Sequence, residues 1–174
     1  MKTLDLLAAS IRDVPDFPKK GIIFKDITTL LKDPKSFKHA VDIMYKQYKG
    51  KKIEAVVCVE ARGFIFGSVL AYKLNAGLVL VRKKGKLPFK TYEITYDLEY
   101  GQDTLAIHQD SIKKNGSVLI VDDVLATGGT ISAVCKLVKK CKAKITGIGF
   151  LIELEFLKGR KKLKAYPVSS LLKY

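Results

Sequence analysis

The chain has 174 residues, 48% apolar and 28% charged, which bounds a single globular domain (1–174) with a full core. No apolar stretch is long enough to span a bilayer, and Met1-Lys2-Thr3-Leu4-Asp5 lacks the unbroken apolar run of a signal peptide, so a cytoplasmic protein without a membrane partner is expected. The net charge of +15 admits a polyanion partner, but the lysines are scattered in pairs and no RNA- or DNA-binding motif accompanies them; a solvated lysine-rich surface is favoured, and no specific nucleic acid is expected.

Residues 3–12 read as a short amphipathic helix. Asp16–Gly21 is a turn, followed by the extended piece Ile22-Ile23-Phe24. Asp33-Pro34 opens a second helix, with Phe37, Val41, Met44 and Tyr48 at helical spacing. Ala55–Val59 is a buried strand, Gly63–Leu74 a helix and Leu78–Val81 another buried strand. Residues 82–103 break the rhythm. Thr104–His108 returns to strand, then come the strand Val118–Val121, a helix through Val138 and a strand over 145–154. Apolar strands alternating with helices predict an α/β fold, a mainly parallel sheet covered on both faces. Cys58, Cys135 and Cys141 are an odd set without metal spacing, which suits a reducing compartment. With only His39 and His108, neither a histidine-rich metal site nor a His-based triad is suggested.

The run from Val118 to Thr130 carries the most chemistry. Four branched apolar residues lead to two carboxylates, Asp122 and Asp123, at the strand's carboxyl end, where ligands collect in open α/β sheets. Ala126-Thr127-Gly128-Gly129-Thr130 then opens a helix, whose N-terminus suits a phosphate. Ionised aspartates suit vicinal hydroxyls. One strand-loop-helix therefore fits both ends of a phosphorylated sugar. It is neither a P-loop, since no Lys-Ser or Lys-Thr follows the glycines, nor a G-x-G-x-x-G fingerprint.

Four further segments are ambiguous on their residues alone. Val59–Phe64 offers a loop with Arg62 that suits a diphosphate, or equally a surface Glu-Arg pair on an ordinary turn. Arg82–Pro88 offers cations around Gly85, for an anion or as a solvated loop. Tyr96–Gly101 offers Glu99 on a segment of lid length, or a surface acid. Val14–Ile27 offers an aromatic beside extended backbone for a flat base, or a local core cluster.

The run 118–130 resembles the signature of type I phosphoribosyltransferases, which bind 5-phosphoribosyl-1-pyrophosphate. The other segments match, in order, patterns of the adenine phosphoribosyltransferase family within it: P-x-F-P-x-x-G-[IV]-x-F-[RK]-D-I at 15–27, E-[AS]-R-G-F at 60–64, R-K-x-G-K-L-P at 82–88 and Y-x-L-E-Y-G at 96–101. The tail Leu157-Lys158-Gly159-Arg160 is similar to the family's L-x-G-R ending.

The resemblance implies a type I phosphoribosyltransferase-like parallel sheet flanked by helices, with a base-binding hood from about residues 1–34. It implies transfer of phosphoribose to N9 of adenine, giving AMP and pyrophosphate, with Mg²⁺ held mainly through the sugar diphosphate rather than directly by protein. Asp122 and Asp123 would hold the ribose hydroxyls, and Ala126, Thr127, Gly128, Gly129 and Thr130 the 5′-phosphate. Ala61, Arg62, Arg82, Lys83 and Lys84 would serve pyrophosphate, with a cis peptide at Glu60-Ala61 or Ala61-Arg62. Phe24 and Val124 would sandwich adenine, with Ile23 backbone and Lys25 beside it. Glu99 would manage the proton at the purine imidazole ring from a lid over 89–102. A homodimer is implied, with Arg82–Lys86 near the partner's site. Two departures are Lys25, where an Arg is more usual, and Phe89-Lys90-Thr91-Tyr92, which replaces smaller residues. A 6-oxopurine enzyme is disfavoured because Leu125–Cys135 contains no Lys to donate to such a base. A regulator that senses the sugar diphosphate and binds nucleic acid is disfavoured because no room for a DNA-binding domain precedes Ile11.

Overall fold

The computed structural model describes residues 3–97 and 101–174. The chain begins with α1 (Thr3–Ala9), the antiparallel pair β1 (Arg12–Pro15) and β2 (Ile23–Asp26), and α2 (Thr28–Lys32). α3 (Pro34–Tyr48) starts where Asp33 accepts a hydrogen bond from the Ser36 N–H and Pro34 takes the first helical position. Then follow β3 (Ala55–Val59), α4 (Arg62–Leu74), β4 (Gly77–Lys83), β5 (Thr91–Asp97), β6 (Gln102–His108), β7 (Ser117–Leu125), α5 (Gly129–Lys140) and β8 (Lys144–Glu153). Two 3₁₀ turns (Glu155–Leu157 and Gly159–Leu163) lead to β9 (Val168–Lys173).

Seven strands form one sheet in the order β5-β6-β4-β3-β7-β8-β9. The five from β4 to β9 are mutually parallel, whereas β6 joins β4, and β5 joins β6, antiparallel. On one face Val57, Ile120 and Phe150 pack with Ile131, Val134 and Val138 of α5. On the other, Val56, Leu119 and Val121 pack with Phe66 and Leu70 of α4 and with Val41 and Met44 of α3. Each such buried side chain contributes about 1.5–3 kcal/mol, which explains the uninterrupted apolar strands. The carboxyl ends of β3 and β7 therefore lie side by side at the sheet's centre, and each feeds a helix.

Four elements depart from the sequence reading. The first helix ends at Ala9, because Arg12–Pro15 pairs with β2 instead. α2 and β9 are short and half-buried, with too few apolar residues to set a period. The segment 89–102, expected as an irregular lid, is mostly a ribbon: Thr91–Asp97 pairs residue by residue with Gln102–His108. Tyr92, Ile94 and Tyr96 alternate along it and pack against the α5 core. Glu99 lies outside the described residues.

Candidate active site

A cleft of about 290 Å³ opens over the carboxyl ends of β3 and β7. Its floor is the aspartate pair. Asp123 is 3% exposed, and the guanidinium of Arg62, the first residue of α4, stands 2.9 Å from its Oδ2. That approach falls outside hydrogen-bonding angles, so Oδ2 is a buried acceptor without a hydrogen-bond donor. Asp122 Oδ1 accepts from the Asp123 N–H at 2.9 Å. Burial, with the charge of Asp123 added, pushes the Asp122 carboxyl well above its ordinary range. Burial also raises Asp123, against the pull of Arg62. Two adjacent carboxyls, one with a buried oxygen that no donor reaches, are suited to a ligand that brings hydroxyl hydrogens. Gly63 is what allows α4 this close: a Cβ there would stand 2.9 Å from Asp122 Oδ1.

One wall is Ala126–Thr130, at the N-terminus of α5. Gly128 holds φ 76° and caps the helix with no side-chain hydrogen bond, so the first N–H groups of α5 are left for a ligand. Tyr96 reaches in from β5, with Thr130 Oγ1 at 3.5 Å from its hydroxyl. The opposite wall is Glu60–Arg62, where the Glu60-Ala61 peptide is cis, one of the two positions expected.

The three predicted cations of β4 and its exit separate. Lys83 lines the cleft, with its Nζ 3.0 Å from Asp103. Arg82 instead donates to Glu60 at 2.9 Å and to the Lys86 carbonyl at 3.2 Å. Lys84 turns away to Glu93, at 2.9 Å. Alternation along β4 is the reason: Lys83 continues the inward face of Val79 and Val81, while Arg82 continues the outward face of Leu78 and Leu80.

On the hood side, Val124 lines the cleft, and the Phe24 ring lies 5.3 Å from the Arg62 guanidinium carbon. Phe17 packs edge-on against Phe24 at 5.2 Å. Ile23 is 57% exposed at the ribbon's outer end. Lys25 does not turn to the cleft. Its ammonium bonds Asp13 at 2.7 Å and lies 3.9 Å over the Tyr174 ring, which leaves only its backbone for a base. Among the described residues, no group of three or more His, Cys, Asp or Glu side chains could hold a metal ion. Sequence reasoning missed Tyr96 and Asp103. The alternation of Tyr92, Ile94 and Tyr96 was the available signal for the first.

Residues 26–172 match the family model of the phosphoribosyl transferase domain. An adenine phosphoribosyltransferase of Syntrophotalea carbinolica is 61% identical over 164 residues, covering 94% of this chain and 96% of the relative. One from Geobacter metallireducens is 60% identical over 171 residues, covering 98% and 100%. The crystal structure of adenine phosphoribosyltransferase from Thermoanaerobacter pseudethanolicus superposes with a TM-score of 0.95 at 51% identity, covering 98% of this chain and 99% of that one. The Giardia lamblia enzyme complexed with 9-deazaadenine gives 0.93 at 36% identity, covering 100% and 99%. Within the phosphoribosyl transferase class, this chain belongs to the adenine phosphoribosyltransferase family.

Proposed function

We infer that the protein salvages adenine, transferring phosphoribose from 5-phosphoribosyl-1-pyrophosphate to N9 and releasing AMP and pyrophosphate. The observation that carries this reading is the Asp122–Asp123 pair on the cleft floor, set between a bare helix N-terminus and an aromatic hood. The bond from the anomeric carbon to the diphosphate oxygen breaks, the bond to N9 forms, and the N9 proton leaves. Positive character develops on the sugar as negative charge grows on the leaving group. Asp122 and Asp123 hold the ribose hydroxyls and set an anionic field beside that sugar. The Ala126–Thr130 backbone, with the Tyr96 hydroxyl beside Thr130, holds the 5′-phosphate. Arg62, Lys83 and the Ala61 backbone receive pyrophosphate. Phe24 and Val124 sandwich adenine. The Asp122 and Asp123 carboxyls in the cleft lining suit a site that receives Mg²⁺ carried in on the diphosphate, where the cation would neutralise leaving-group charge. Glu99 manages the purine proton.

A homodimer is supported by the outward face of α4 and β4, where Tyr72 is 87%, Leu78 44% and Leu80 37% exposed. Burying these apolar residues against a second copy puts Arg82 and Lys84, on and just beyond the same strand, at the subunit boundary. The three cysteines are free and buried, and no described helix is long and apolar enough to cross a membrane; both fit a cytoplasmic enzyme.

The test is incubation with sugar diphosphate, Mg²⁺ and each purine base, with products separated by chromatography. A 6-oxopurine presents the opposite donor and acceptor pattern and leaves a buried group unpaired, at about 1–3 kcal/mol per group. AMP should therefore form far faster than IMP or GMP. Comparable rates with guanine refute the adenine reading.

A further inference from the structure

The tail segment Lys158-Gly159-Arg160 is not explained by any of the substrate contacts above, yet it lies directly against the phosphate-loop backbone. A Cβ on Gly159 would fall 2.1 Å from the Ala126 carbonyl oxygen and 2.9 Å from the Gly128 nitrogen. A Cβ on Gly128 would fall 2.6 Å from the Gly159 carbonyl oxygen. These are backbone atoms on both sides, so neither could swing away as a flexible side chain does. The loop that faces ligand on one side is thus backed on the other by a second backbone, with no side chain between them.

That backing turn is itself fastened. Arg160 Nε donates to Glu153 Oε1 at 2.8 Å, and its Nη2 donates to Oε2. Arg160 Nη1 donates to the Val168 carbonyl at 2.8 Å, on β9. Ser170 completes the cluster, donating to Glu153 Oε2 at 2.7 Å. Glu153 is 4% exposed and ends β8, and next to it the Leu154 N–H donates to Leu125, the last residue of β7 before the phosphate loop. One guanidinium therefore joins the ends of β8 and β9 to the turn that presents Gly159. The bidentate fork is a geometry that Arg supplies and Lys does not.

We propose that Gly159 and Arg160 are positioning residues for the 5′-phosphate site: Arg160, clamped to Glu153, presses Gly159 against Ala126–Gly128 and fixes the aim of the loop's N–H groups. They touch no substrate. Backbone donors act on a phosphate only when pre-aimed, because a loop that must be ordered during binding spends affinity on that ordering. This inference rests on the assignment of Ala126–Thr130 to the sugar phosphate, made above. Leu163, fully buried in the same 3₁₀ turn, anchors the tail independently, so removal of the guanidinium loosens the loop without detaching the turn.

The test uses two probes, ribose 5-phosphate and pyrophosphate, titrated calorimetrically into the whole protein and into Gly159→Ala, Arg160→Met and Arg160→Lys. Ribose 5-phosphate should bind about tenfold more weakly to Gly159→Ala and Arg160→Met, the size of one misaimed hydrogen bond to a charged group. Arg160→Lys, which keeps the charge but not the fork, should fall between. In parallel, KM for the sugar diphosphate should rise more than kcat falls. Pyrophosphate, held at the opposite wall, should bind all folded variants as it binds the parent. Should Gly159→Ala not fold, the two Arg160 variants decide alone. Unchanged ribose 5-phosphate affinity in Arg160→Met, or equal losses for both probes, overturns the proposal. Failure of the unmutated protein to bind ribose 5-phosphate refutes instead the phosphate assignment on which the proposal rests.

Discussion

Asp123→Asn separates what the second aspartate does for the fold from what it does for the ligand. Asp123 is 3% exposed, and burial raises its pKa even though Arg62 pulls the other way. An acid with a raised folded pKa binds its proton more tightly when folded. Stability is therefore lost as pH rises from the unfolded value, about 3.9, through the folded one, and the penalty persists at neutral pH. Asparagine removes that penalty. It also frees Arg62, but the Arg62 side chain is 42% exposed and rehydrates in place, so losing the pair costs about 0–1 kcal/mol. The melting temperature should hold or rise. Binding moves the opposite way. A charged acceptor for a ribose hydroxyl is worth about 1.5–3 kcal/mol, or roughly a 10- to 150-fold loss in kcat/KM for the sugar diphosphate. The assay is steady-state kinetics beside a thermal melt of the same preparation. A variant that melts several degrees lower yet keeps its kcat/KM refutes the reasoning and makes Asp123 a structural cap.

Two further predictions concern the hood and Glu99. Asp26 accepts from Arg12 on β1 and from the Thr28 N–H, and these bonds, Thr28's first, hold its pKa at about 2. An acid with a lowered folded pKa stabilises above its unfolded value, so this contribution is complete above about pH 4 and is lost as pH falls toward 2. Asp26→Asn should remove it at neutral pH, flattening the acid limb of a stability-pH curve and raising KM for adenine while leaving that for the sugar diphosphate; an unaltered adenine KM removes the hood from base binding. Glu99→Gln keeps shape but not charge, and should lower the single-turnover rate by about 10²–10⁴ with little change in adenine affinity. A near-parental single-turnover rate would leave Glu99 without a chemical role.

The parts of the site legible in the sequence are those that break a strong local pattern. Asp122 and Asp123 interrupt an apolar strand and precede Thr-Gly-Gly-Thr, so both ends of a sugar phosphate can be placed from thirteen consecutive residues. Arg82, Lys83 and Lys84 show where local reading fails. With the strand taken to end at Val81, the three cations form one basic loop. Extended to Lys83, as it is in β4, the alternation of Val79, Val81 and Lys83 sends one of the three into the cleft and turns Arg82 outward with Leu78 and Leu80. Tyr96 was hidden for a related reason: Thr91, Glu93, Thr95 and Asp97 are the solvent-side residues of an edge ribbon, and their polarity masks the alternating Tyr92, Ile94 and Tyr96. Gly159 is a different case. Its meaning depends on Ala126 and Gly128, some thirty residues earlier in the chain. No periodicity encodes a contact between two backbones. Gly128, on one side of the contact, also needs its glycine for a φ of 76°, whereas Gly159 takes no positive φ, so only packing explains why a side chain is missing there.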